Sequence, residues 1–160
     1  MATFQTTNYD LLKKQTVSLI EDEHNMIAIL SNMSALLNDN LDQINWVGFY
    51  LIDNGELILG PFQGHPACVH IKIGSGVCGT AVAENQTQVV ADVTQFEGHI
   101  ACDANSRSEI VIPIRVNDKV IGVLDIDAPI TNRFHNEDKT NLESIVELIE
   151  NQLELTDGTK

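Results

Sequence analysis

The chain has 160 residues, 43% hydrophobic and 20% charged, with 4 prolines and 10 glycines. That is one domain's length with apolar residues enough for a full core, which excludes a disordered tail. Nine basic against 23 acidic residues give a net charge of −14, so neither nucleic acid nor an anionic membrane is an expected partner.

No apolar run approaches the ~18 residues of a membrane span. The opening MATFQTTNYD lacks the basic stretch and apolar core of a secretory signal. The expectation is a cytoplasmic protein without repeats or linkers.

In chain order, residues 8–22 form a moderately amphipathic helix through Leu11, Leu12, Val17, Leu19 and Ile20. A second helical pattern runs from Asn25 to Leu37. The period then changes: Asn45-Trp46-Val47-Gly48-Phe49-Tyr50-Leu51-Ile52 is a strand, Asp53-Asn54-Gly55 a turn, and Glu56 to Leu59 the returning strand. From Gly60 to Cys102 the chain reads as connection, with one short helix at Gly76–Glu84 and a short strand at Val89-Val90. A stretch that long, with that apolar content, is expected to be functional. A second hairpin spans Ser108–Val116 and Val120–Asp127, and an amphipathic helix from about Glu137 to Leu155 closes the chain. The fold class is α+β, with a mostly antiparallel central sheet flanked by helices.

The register of the second hairpin decides where its acids go. A two-residue turn at Asn117-Asp118 would place Ile110 opposite Asp125 and mix apolar with acidic residues on each face. A three-residue loop, Asn117-Asp118-Lys119, pairs Val116 with Val120 instead. Ile110, Ile112, Ile114 and Val116 then share a face with Val120, Leu124 and Ile126, so the second pairing is preferred. It puts Glu109 across from Asp127, with Asp125 one step along the same face. Three converging carboxylates destabilise a sheet unless solvent, a cation, a ligand ammonium or a shared proton offsets them. In the first strand, alternation puts Trp46, Gly48 and Tyr50 on one face. The glycine leaves a slot between two aromatics, read either as core packing or as the wall of an apolar pocket.

Three cysteines, Cys68, Cys78 and Cys102, all fall in the central third. An odd count without an export signal argues against a disulfide framework. With His70 and His99 they could be scattered zinc ligands, but zinc sites usually show tight pairs on knuckle turns, and only His99-x-x-Cys102 has such a spacing. A thiol relay explains them better: one thiolate attacks and another resolves the sulfenic acid as a disulfide. No metal and no cofactor is expected. Gly74-Ser75-Gly76-Val77-Cys78-Gly79 matches Gly-x-Gly-x-x-Gly, but no parallel βαβ unit surrounds it, so it is not read as a dinucleotide fingerprint. A glycine-rich start to a helix, with close backbone approach, is preferred. It would set Cys78 in the first helical turn, where the dipole would lower its thiol pKa.

These segments together resemble the free methionine-(R)-sulfoxide reductases, which are built on a GAF domain. The matching runs are Asn45 to Tyr50, Leu59-Gly60-Pro61-Phe62-Gln63-Gly64, Pro66-Ala67-Cys68 and Gly76-Val77-Cys78-Gly79. Gly98-His99-Ile100-Ala101-Cys102-Asp103, Ser108-Glu109-Ile110-Val111 and Gly122-Val123-Leu124-Asp125-Ile126-Asp127 complete the set. Two positions depart from the usual pattern: Glu97 follows Phe96 where proline is common, and Thr94 stands where histidine is common.

The resemblance implies a single GAF domain over residues 1–160, with the ligand enclosed beneath the central loops. It implies Cys102 as nucleophile, Cys68 as principal resolving thiol and Cys78 as an auxiliary one. Glu109, Asp125 and Asp127 match an acidic substrate pocket, and Trp46 and Tyr50 its aromatic wall. Free methionine sulfoxide is the implied substrate, thioredoxin the implied reductant, and a homodimer the implied assembly. The chemistry is coherent, because a sulfoxide oxygen must be protonated or strongly hydrogen-bonded before a thiolate can take it, and crowded carboxyls hold such a proton. Their remaining charge suits the ammonium of a free amino acid, while backbone N–H groups around Gly98–Cys102 are candidates for its carboxylate. The rival readings are a GAF sensor that binds a small molecule without catalysis, and a redox-sensing thiol switch.

Overall fold

The computed structural model describes residues 6–100 and 102–157. Helix α1 (Tyr9–Ile20) starts where the Asn8 side chain accepts the Leu11 N–H, and α2 (Met26–Asn40) where Asn25 accepts the Ala28 N–H. Strands β1 (Trp46–Asp53), β2 (Glu56–Gly64) and β3 (His70–Lys72) follow. Helix α3 (Gly76–Glu84), strands β4 (Gln88–Val90), β5 (Ser108–Val116) and β6 (Lys119–Ala128), and helix α4 (Asn136–Asp157) complete the chain. The strands form one sheet in the order β3-β2-β1-β6-β5-β4, with every neighbouring pair antiparallel. The expected α+β class is thus observed. No described helix is long and apolar enough to cross a membrane.

Strand alternation separates two cores. On one face Val47, Phe49, Ile110, Ile112, Leu124 and Ile126 pack against α1, α2 and α4. Helix α4 meets them with Leu142, Ile145, Val146, Ile149 and Leu153, a three-and-four spacing that keeps one stripe buried. On the other face Trp46, Tyr50, Val111 and Val123 lie under α3 with Val77, Cys78 and Ala81. This second face carries the three acids Glu109, Asp125 and Asp127, which are all buried.

Two strand details differ from expectation. The second hairpin turns on two residues, Asn117 and Asp118, not three, and pairs Val116 with Lys119 and Arg115 with Val120. Both turn residues have positive φ, 53° and 65°, the primed geometry that follows natural strand twist. The pairing then jumps to Ile114 with Gly122, leaving Ile121 as a bulge. The bulge supplies the one-residue offset that had been ascribed to the loop, and Ile121 rather than Val120 packs on the core. Strand β2 likewise does not stop at Leu59. It continues through a second irregularity between the pairs Tyr50–Leu59 and Gly48–Phe62. Pro61 is tolerated at that bulge because no ladder N–H is needed there.

Candidate active site

The register set by the Ile121 bulge delivers the acids as the hydrophobic pattern requires: Glu109 pairs with Asp127, and Val111 with Asp125. Strand β1 adds its own layer, with Trp46 opposite Asp127 and Gly48 opposite Asp125. The three carboxyls are only 7%, 6% and 9% exposed for Glu109, Asp125 and Asp127, so they are not a solvated face. Burial is the main reason that all three hold their protons above the ordinary carboxyl range. For Glu109 the charges of Asp125 and Asp127 push the same way. For Asp125, hydrogen bonds from Glu109 and Cys78 pull back against burial. For Asp127 the Asp125 charge adds to burial, and a hydrogen bond with Glu109 opposes it.

These acids line a cavity of about 50 Å³ shared with Trp46, Tyr50 and Cys78. The loop before β5 closes it with His99, Ile100, Cys102, Asp103 and Ser106. Trp46 stacks on Phe62 with ring centroids 5.2 Å apart and on Tyr50 at 5.9 Å. The slot expected over Gly48 does not exist. A Cβ there would lie 2.3 Å from Cβ of Phe62 and 2.8 Å from the Trp46 ring. The β2 bulge swings Phe62 opposite Gly48 and fills the space, so the aromatic wall is three rings deep.

Cys68 and Cys102 are joined as a disulfide, with Cα atoms 5.4 Å apart. Cys68 belongs to the segment between β2 and β3, and its carbonyl accepts a 2.9 Å hydrogen bond from the Tyr50 hydroxyl. Cys78 is free and buried. It does sit in the first turn of α3, but the expected lowering of its pKa is overturned. Burial first, then the charges of Asp125, Glu109 and Asp127, push the thiol well above its ordinary value, and these outweigh the helix dipole. In the disulfide form, thiol reagents should therefore find no reactive cysteine until the protein is unfolded, when one per chain reacts. Rapid native labelling of Cys78 would contradict this assignment.

The glycine-rich run behaves as a tight helix start. A Cβ on Gly79 would stand 2.4 Å from the Lys72 carbonyl oxygen, and one on Gly76 would meet Ile100 at 3.2 Å. Gly79→Ala is expected to destabilise by roughly 1–3 kcal/mol through this overpacking, read as a lower midpoint in urea.

Several neighbours of the site carry no signal in one sequence. Asn45 donates from Nδ2 to Oδ2 of Asp103 at 3.0 Å and to Oγ of Ser106 at 3.2 Å. Its backbone N–H donates to the Asp127 carbonyl at 2.9 Å. It therefore ties the loop behind Cys102 to the sheet, across a sequence gap that no local pattern spans. Thr94, one of the two departures, is held by Asp92, whose Oδ1 accepts both its N–H and its hydroxyl. Ala101 lies outside the described residues.

A GAF-domain family model matches residues 14–153. The free methionine-R-sulfoxide reductase of Escherichia coli is 50% identical over 156 residues, covering 98% of this chain and 94% of that protein. The structure of fRMsr of Staphylococcus aureus in complex with substrate is 76% identical, with a TM-score of 0.92 over 95% of this chain and 99% of that one. The X-ray structure of free methionine-R-sulfoxide reductase from Neisseria meningitidis, in complex with its substrate, is 37% identical. Its TM-score is also 0.92, over 100% of this chain and 99% of that one. Fold, motif runs and these likenesses agree: the chain belongs to the free methionine-R-sulfoxide reductases, an enzyme family of the GAF fold.

Proposed function

We propose that the protein reduces free methionine-R-sulfoxide to methionine, with Cys102 as the attacking thiolate. A carboxyl of the Glu109, Asp125 and Asp127 group donates its proton to the sulfoxide oxygen while the Cys102 sulfur attacks the substrate sulfur. The S–O bond breaks and the oxygen passes to Cys102, so methionine leaves and a sulfenic acid remains. The Cys68 thiol then condenses with that sulfenic acid, releasing water and forming the disulfide. A dithiol reductant of the thioredoxin class returns both cysteines to thiols. Trp46 and Tyr50 flank the substrate methyl group, and the ionised acids hold its ammonium. A homodimer in the cytoplasm is the setting that family resemblance supports.

The observation that supports this reading most is the Cys68–Cys102 bond at a cavity floored by three buried acids. The test is incubation of the reduced protein with free and with peptide-bound methionine sulfoxide. Methionine should form only from the free amino acid; no product would leave the sensor or the thiol switch. Cys68→Ser should still release about one methionine per site in a single turnover, because product leaves before resolution. Its steady-state recycling should collapse. A missing burst would assign the attack to Cys68 instead.

A further inference from the structure

The floor of the cavity presents a donor set that the reductase chemistry does not require in full. Sγ of Cys78, a carboxylate oxygen of Glu109 and one of Asp125 all lie within 4.8 Å of one another. They come from α3, β5 and β6, so packed elements rather than loops hold them in place. Their residues are 4%, 7% and 6% exposed. Oδ1 of Asp125 is buried with no hydrogen-bond partner, although Asp125 lines the cavity. A buried carboxylate oxygen left in this state is costly unless something binds it.

Geometry and donor chemistry narrow what that something is. Around a tetrahedral zinc ion, with Zn–S of about 2.3 Å and Zn–O of about 2.0–2.2 Å, neighbouring ligand atoms stand roughly 3.5 Å apart. The three donors need to draw in by no more than about 1.3 Å to reach that spacing. One thiolate with two carboxylates suits a borderline-soft divalent ion, whereas magnesium and calcium prefer all-oxygen sites.

We propose that Cys78, Glu109 and Asp125 form a binding site for a divalent cation of the zinc class, whose occupation excludes the amino-acid substrate. The cation takes Cys78 as thiolate and both acids as carboxylates, with their protons released to solvent and no change of oxidation state. Three negative ligands around a doubly charged ion leave one net negative charge, and a water completes the shell. The bound ion also removes the acidic proton that the reductase reading needs. Binding itself does not rest on that reading; only the exclusion of substrate does.

The experiment uses the disulfide form, in which Cys78 is the one free cysteine. Cobalt(II) is titrated in as a spectroscopic probe. The expected result is a thiolate-to-cobalt charge-transfer band saturating at one equivalent, bleached by one equivalent of zinc and untouched by a hundredfold excess of magnesium or calcium. Cys78→Ser should abolish the band, and Glu109→Gln should weaken cobalt binding at least tenfold. Absence of a band, or a band that survives Cys78→Ser, would overturn the site. If Cys78→Ser does not fold, Glu109→Gln decides: unchanged cobalt affinity in that variant overturns the site. Competition is read by equilibrium dialysis of zinc against reduced Cys102→Ser, which cannot turn over. Free methionine sulfoxide should lower zinc retention, and simultaneous binding of both would overturn the exclusion. Failure of the reductase reading would show as no methionine from the active protein, with the cobalt titration unaffected.

Discussion

Cys102→Ser should abolish methionine formation, with a fall of roughly 10³-fold or more in turnover. A serine hydroxyl is a poor nucleophile toward sulfur and cannot carry the transferred oxygen as a sulfenic acid. The other thiols cannot substitute. Cys78 is buried and kept protonated by burial and three neighbouring acids, so little thiolate is present near neutral pH. Cys68 is the resolving thiol on the proposed mechanism, and its carbonyl is held by the Tyr50 hydroxyl. Substrate affinity should survive within a few-fold, because the aromatic wall and the acids are untouched. Isothermal titration of the variant with free methionine sulfoxide, beside a turnover assay, separates the two quantities. Substantial steady-state activity would move the attack to another cysteine.

Glu109→Gln and Asp127→Asn should each lower turnover by about 10² to 10⁴, the usual worth of a positioned acid, while the fold gains stability. The sign follows from the raised pKa values. A carboxyl whose folded pKa exceeds its unfolded one binds its proton more tightly when folded. Its stabilising effect is complete below the ordinary values, 4.5 for Glu109 and 3.8 for Asp127, and is lost as pH climbs toward the raised folded values. An amide carries no charge to desolvate and relieves the repulsion between paired strands. Thermal midpoints measured from about pH 5 to about pH 8 should therefore decline less steeply in Glu109→Gln than in the parent. Parental turnover in both variants would remove the carboxyls from the mechanism.

The facing of the acids was legible because apolar alternation leaves Ile110, Ile112, Leu124 and Ile126 one place to go, and Glu109 and Asp127 then share the other face. How the chain achieves that facing was not legible. A loop of three residues and a turn of two with a bulge at Ile121 satisfy the same pattern, and only backbone twist distinguishes them. The returning strand was expected to end at Leu59, yet the bulge carries β2 on past Pro61 and sets Phe62 onto Gly48. Cys78 shows the other limit. Its place at a helix start was readable, but the burial and charges that set its pKa come from β5 and β6, far along the chain. Asn45 stood in plain view before the aromatic strand, with partners 58 and 61 residues away.

The disulfide has a kinetic consequence. It joins the β2–β3 segment to the loop that closes the cavity, and Tyr50 on the floor is tied by hydrogen bond to the Cys68 end of it. On the proposed mechanism, a second sulfoxide meets no free Cys102 thiolate until an external dithiol has opened that strap. The two substrates then never occupy the enzyme together, and turnover is ping-pong. Double-reciprocal plots at several reductant concentrations should give parallel lines. Sulfoxide supplied in excess drives the enzyme into its strapped form, where supply of reducing equivalents alone sets the rate.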